Sequence, residues 1–131
     1  MINCHASGDA GYAAADKIHQ QFGGLEQSIA RSHEILTRAG ESGMEVSQAN
    51  LDLTAARDQL TKARVTLHTF KPAKVEEDVK AGTEITAKTY QAGVQALKER
   101  DYRRMGLGVS LITILAMLIG LRLYITQIER K

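Results

Sequence analysis

From Met105 to Leu121 the chain carries seventeen consecutive uncharged, mostly apolar residues, MGLGVSLITILAMLIGL. As a helix this run spans about 26 Å, and Leu123, Tyr124 and Ile125 extend it once Arg122 snorkels toward the interface. A helix that is apolar all round must be buried in protein or in lipid. A chain of 131 residues has no other layer to surround it. The run therefore predicts a transmembrane helix over 105–125 followed by a short basic tail at 126–131, with the lipid bilayer as a partner. Tyr102 and Tyr124 flank it as interfacial aromatics.

Upstream, the pattern changes to one of long amphipathic helices. Val46, Ala49, Leu53, Ala56, Leu60, Ala63, Leu67 and Phe70 alternate three- and four-residue spacings, the mark of one continuous coiled-coil-like seam. Ser42 with Glu45 reads as a capping box at its start, and Lys71-Pro72 as its stop. A first helix, capped by Asp9, runs to about Ala39 with the seam Ala15, Ile18, Phe22, Leu25, Ile29, Ser32 and Leu36. Gly23-Gly24 weakens or bends it without breaking its phase, and Gly40 supplies C-cap chemistry. The short link to Ser42 makes the two helices antiparallel neighbours.

Pro72 opens a third helix, with Glu76, Glu77 and Asp78 favouring its positive end. Its looser pattern (Val75, Val79, Ile85, Tyr90, Val94, Leu97) either completes a three-helix bundle or packs only partly on the hairpin. The expected fold is thus all-α: a long antiparallel hairpin or three-helix bundle over 10–104, then the C-terminal transmembrane helix.

Composition narrows the function. Aromatics are 5% and there is one proline, in keeping with helices packed through Leu, Ile, Val and Ala. The net charge of +2 gives no electrostatic footprint for nucleic acid. One cysteine excludes an internal disulfide framework or a multi-cysteine zinc site. The acidic groups Asp9, Asp16, Glu26, Glu34 and Glu45 form no acid–base pair, and there is no nucleophile constellation or phosphate loop, so no enzyme is predicted. Gly106-Leu107-Gly108 belongs to the packing of a membrane helix.

The one chemically specific signal is Cys4-His5 within the remnant at 1–9. A c-type haem is attached through C-x-x-C-H, and residues 1–5 read M-I-N-C-H, with Met1 in place of the first cysteine. Taken alone, an ordinary exposed cysteine is the better account of it. The run CHASGDAGYAAADKIH, the hairpin after it and ARVTLHTFKP resemble the C-terminal part of membrane-anchored multihaem cytochromes c. That resemblance covers nearly the whole chain and implies haem c (iron), with Cys4 as thioether donor and His5 as axial iron ligand. It also implies an upstream haem domain and leader, a fragment or misplaced start at Met1, and other redox proteins as partners.

His68 is the candidate distal ligand. In a hairpin turning near residues 41–42, the helical rise sets position 68 roughly level with position 15. One step off the Leu67 seam position, His68 points outward; the alternative is a solvated histidine at a helix end. His19 is a weaker candidate, and His33 reads as a surface residue.

Close to the apolar run, five basic residues precede it (Lys88, Lys98, Arg100, Arg103, Arg104) and three follow it (Arg122, Arg130, Lys131), which favours a cytoplasmic N-terminal side. The resemblance implies the reverse, a single-pass protein with a periplasmic or other extracytoplasmic helical region and a cytoplasmic C-terminus. This orientation is adopted as the expectation. The alternative function is a haem-free membrane-anchored bundle acting as a structural anchor or sensor module. Either form has faces for oligomerisation through the bundle.

Overall fold

The computed structural model describes residues 10–69 and 71–130. Among them the chain forms three helices, α1 (Ala10–Glu41), α2 (Ser47–Leu67) and α3 (Pro72–Glu129), and no strand. They divide into two units, one ending at Ala96 and the other beginning at Leu97. The all-α expectation holds.

In the first unit the two predicted seams meet. Leu25, Ile29 and Leu36 of α1 pack with Ala49, Leu53, Ala56, Leu60 and Ala63 of α2 in one buried cluster. Burying each large aliphatic side chain contributes roughly 1.5–3 kcal/mol. Gly40 lies beside Val46 at the turn and Arg64 pairs with Glu26 far from it, so the two helices are antiparallel. Helix α1 passes through Gly23 and Gly24 without interruption. The seam opens toward the start of α1, where Phe22 and Ile18 are half-buried and Ala15 is exposed. On α2 burial shifts from Leu67, 39% exposed, to Thr66, 7% exposed. Thr66 is drawn inward because its hydroxyl donates to Asp78 at 2.9 Å. The predicted seam residue Phe70 and the predicted cap Asp9 lie outside the described residues.

The turn corrects the sequence reading. Ser42 donates its hydroxyl to the Arg38 carbonyl at 2.7 Å, so it finishes α1 and does not cap α2. The N-cap of α2 is Val46, which has no side-chain capping bond. Glu45 accepts the Ser47 N–H at 2.8 Å instead. Hydrogen bonds from Ser47, side chain first and backbone second, hold the Glu45 carboxyl below its ordinary value. Helix α1 also runs past Gly40 to Glu41, and the left-handed residue of the turn is Gly43 at φ +80°.

Helix α3 completes the bundle over its first six turns. It runs parallel to α1: Lys17 pairs with Glu76 at 3.2 Å, and farther along both helices Ser32 donates to the Thr86 carbonyl at 3.0 Å. Its seam is Val75, Val79, Gly82, Thr86, Thr89 and Gly93, all buried. Tyr90, expected inside, is 43% exposed, while Ile85, Val94 and Leu97 are only half-buried. The seam works by close approach: a Cβ at Gly82 would stand 2.9 Å from Leu25 Cδ2, and one at Gly93 would stand 2.6 Å from Ile35 Cγ2. Thr86 and Thr89 satisfy their hydroxyls on the Thr83 and Ile85 carbonyls, at 2.9 and 2.8 Å. Glu76, Glu77 and Asp78 fall beyond the first turn of α3, where the helix dipole has faded.

These glycines separate into two kinds. Gly24 faces open space, so Gly24→Ala should add about 1 kcal/mol and raise the melting temperature by about 5 °C. Gly82→Ala drives a methyl into Leu25 and should lower it. Thermal melts of the two variants check the pair, and a rise for Gly82→Ala would contradict the packing.

In the second unit, the stretch from Met105 is exposed on every side, with Ile112 at 69% and Met117 at 77%. It belongs to the one helix among the described residues that is long and apolar enough to cross a membrane. Its hydroxyls bond within the helix, Ser110 to the Gly106 carbonyl at 2.8 Å and Thr113 to the Val109 carbonyl at 3.0 Å. That internal satisfaction is what a hydrocarbon environment demands.

Candidate functional site

The first bundle seam stays open where α1 begins, because Gly11, Ala14 and Ala15 are too small to fill the space opposite the α2–α3 connection. The result is an apolar cavity of about 500 Å³, walled by these residues and Ile18 on one side. Leu67, His68, Lys71, Pro72 and Val75 form the other wall. The predicted level of position 68 with position 15 is met, since both line this cavity. His68 is held by the end of α2, where its N–H donates to the Val65 carbonyl at 3.1 Å, and its side chain is exposed.

His19 lies in a smaller adjoining cavity of about 240 Å³ with Ala15, Ile18, Phe22 and Leu67. Leu67 borders both spaces. The structure thus brings His68 and His19 to the same end of the bundle, along neighbouring hollows. His33 is exposed. Cys4 and His5 lie outside the described residues.

Among the described residues no three His, Cys, Asp or Glu side chains come together to hold a bare metal ion. An imidazole beside an apolar wall of small residues suits a different ligand, a flat macrocycle that brings its own metal. Gly11, Ala14 and Ala15 leave such a ring room against α1, and the volume falls within the usual range of small-molecule sites. One imidazole at the rim of an apolar wall is a donor set that a haem could use.

A second polar cluster went unread in the sequence. Asp78 is 3% exposed, paired with Lys62 at 2.8 Å and accepting from Thr66. The hydrogen bond from Lys62 is the largest influence and holds the Asp78 carboxyl below its ordinary value, with Thr66 assisting and burial opposing. The same pairing raises the Lys62 ammonium. A lowered carboxylate stabilises the fold above its unfolded pKa, and that contribution is lost as pH falls through the lowered folded value. For the raised ammonium, the contribution is present below its unfolded pKa and is lost as pH rises through the folded one.

Asp78→Ala, which also strands the buried Thr66 hydroxyl, should cost about 2 kcal/mol at neutral pH. That corresponds to a fall of about 10 °C in melting temperature. The gap between variant and wild type should narrow as pH drops through the Asp78 titration. A gap independent of pH would show that the ion pair contributes nothing. The clue lay in register: Asp78 sits three residues after Val75, beside the seam, while its charged neighbours Glu76 and Glu77 made it look solvated.

No family model, curated protein or solved structure matches this chain.

Proposed function

We propose that the chain is the membrane-anchored, haem-bearing tail of a c-type multihaem cytochrome, an electron-transfer component without substrate turnover of its own. The observation that carries this reading is the placement of His68. It lines an apolar cavity against the first turns of α1, the helix that begins five residues after His5. Cys4 would provide the thioether sulfur, His5 the proximal imidazole and His68 the distal one, with His19 the weaker candidate for that role. When bound, haem c supplies a one-electron iron couple. Ile18, Leu67 and Val75 would line one face of it, and the end of α2 holds the backbone of His68 beside that wall.

In this reading the helix over 105–125 makes a single pass, with the bundle on the periplasmic or other extracytoplasmic side and Arg122, Arg130 and Lys131 in the cytoplasm. Partners are the bilayer, other redox proteins and an upstream haem domain, and the bundle faces offer surfaces for association. The exposure of the His68 side chain favours a second reading, a haem-free anchor or sensor module.

The genomic sequence ahead of codon 1 separates the two. In-frame C-x-x-C-H motifs are expected, whereas a stop codon with a ribosome-binding site just upstream would overturn the cytochrome reading. For the anchor itself, the chain should stay with membranes through high salt and alkaline carbonate. Recovery of the full chain in the soluble fraction would contradict it.

A further inference from the structure

The second unit opens with a dense basic segment. Lys98, Arg100, Arg103 and Arg104 fall within seven residues and stop one residue short of Met105, where the apolar run begins. Glu99 and Asp101 leave the segment at a net charge of +2. Seven helical residues are about 10 Å long. With 105–125 across the hydrocarbon core, the segment therefore occupies the headgroup layer, about 5–8 Å deep, and the water just beyond it.

The bases point to more than one side. At roughly 100° per residue, Arg100 and Arg104 share one side of α3, while Lys98, Tyr102 and Met105 share another. Arg103 pairs with Glu99 one turn back, and Arg100 pairs with Asp101 at 2.7 Å. Lys98 and Arg104 make no ion pair among the described residues. Tyr102 is 76% exposed, its ring available at the interface.

We propose that Lys98–Arg104 forms a collar that binds anionic phospholipid. Arg104, beside Arg100, grips a phosphodiester on one side, and Lys98 with Tyr102 holds a second on the other. A guanidinium takes phosphate oxygens in bidentate geometry, which suits Arg104 at headgroup depth. A zwitterionic lipid brings its own ammonium to the site, and only an anionic one neutralises the collar's net charge. In the proposed orientation the collar stands on the outer leaflet, where bases are usually sparse. Bound anionic lipid compensates that charge. The inference rests on 105–125 crossing a bilayer and does not depend on haem.

The full chain, reconstituted in phosphatidylcholine bilayers containing phosphatidylglycerol and released into native mass spectrometry, provides the test. The wild type should retain phosphatidylglycerol over phosphatidylcholine by about thirtyfold, the effect of two interfacial charges. The double variant Lys98→Gln/Arg104→Gln, with a collar of no net charge, should fall to parity while its circular dichroism stays helical. Millimolar inorganic phosphate should leave the retained lipid in place. A wild type without preference, or a preference that survives in the double variant, would overturn the proposal. Displacement by inorganic phosphate would do so as well, in favour of a free-anion site. Failure of the membrane reading shows separately, as release by alkaline carbonate.

Discussion

Leu53→Asp is expected to unfold most of the helical bundle at temperatures the wild type tolerates. Leu53 is 1% exposed, in the middle of the cluster shared by α1, α2 and α3. A carboxylate there has no partner, and such a substitution costs about 4 kcal/mol or more. Against a total stability of about 5–15 kcal/mol, the melting temperature should fall by about 20 °C. Leu51→Asp, two residues earlier on the same helix at 65% exposure, should stay within about 0.5 kcal/mol of wild type. Melts followed by circular dichroism compare the two directly. Equal curves for Leu53→Asp and wild type would show that α2 is turned differently.

That contrast also shows what could be read from the residues alone. The seams of α1 and α2 are written in Leu, Ile, Val and Ala at three-four spacing, so periodicity identified Leu25, Leu36, Leu53 and Leu60 as core. On α3 the same period is carried by Gly82, Thr86, Thr89 and Gly93, which have no apolar signature. The apolar residues Tyr90 and Val94 lie beside this seam and drew the reading to the wrong face. Small residues bury by letting Leu25 and Ile35 approach, a feature that depends on what stands opposite. The capping box misled for a related reason. Ser42 and Glu45 have the right spacing, but the left-handed turn at Gly43 comes between them and assigns Ser42 to α1. At the candidate site, simple helical rise was enough to set His68 level with Ala15. The Asp78 cluster required the tertiary partners Lys62 and Thr66.

The second large effect is expected at His68. In protein isolated from its host's membranes, His68→Ala should convert one haem from six-coordinate low-spin to a high-spin or water-ligated form. Low-temperature electron paramagnetic resonance resolves the change. The bundle should remain folded, because the His68 side chain is exposed and its N–H bond to Val65 belongs to the backbone. A variant whose haems all stay six-coordinate and low-spin would rule His68 out. His19→Ala, in the adjoining hollow, would then be the next substitution to examine.

The chain has a single cysteine, which makes the central claim unusually direct to test. Protein taken from native membranes is denatured, treated with a thiol-alkylating reagent and digested, and the peptide containing Cys4 is weighed. A haem-bearing tail predicts a Cys4 peptide heavier by the mass of haem, resistant to alkylation and carrying a c-type absorption spectrum. A Cys4 peptide recovered fully alkylated and free of haem would contradict the account.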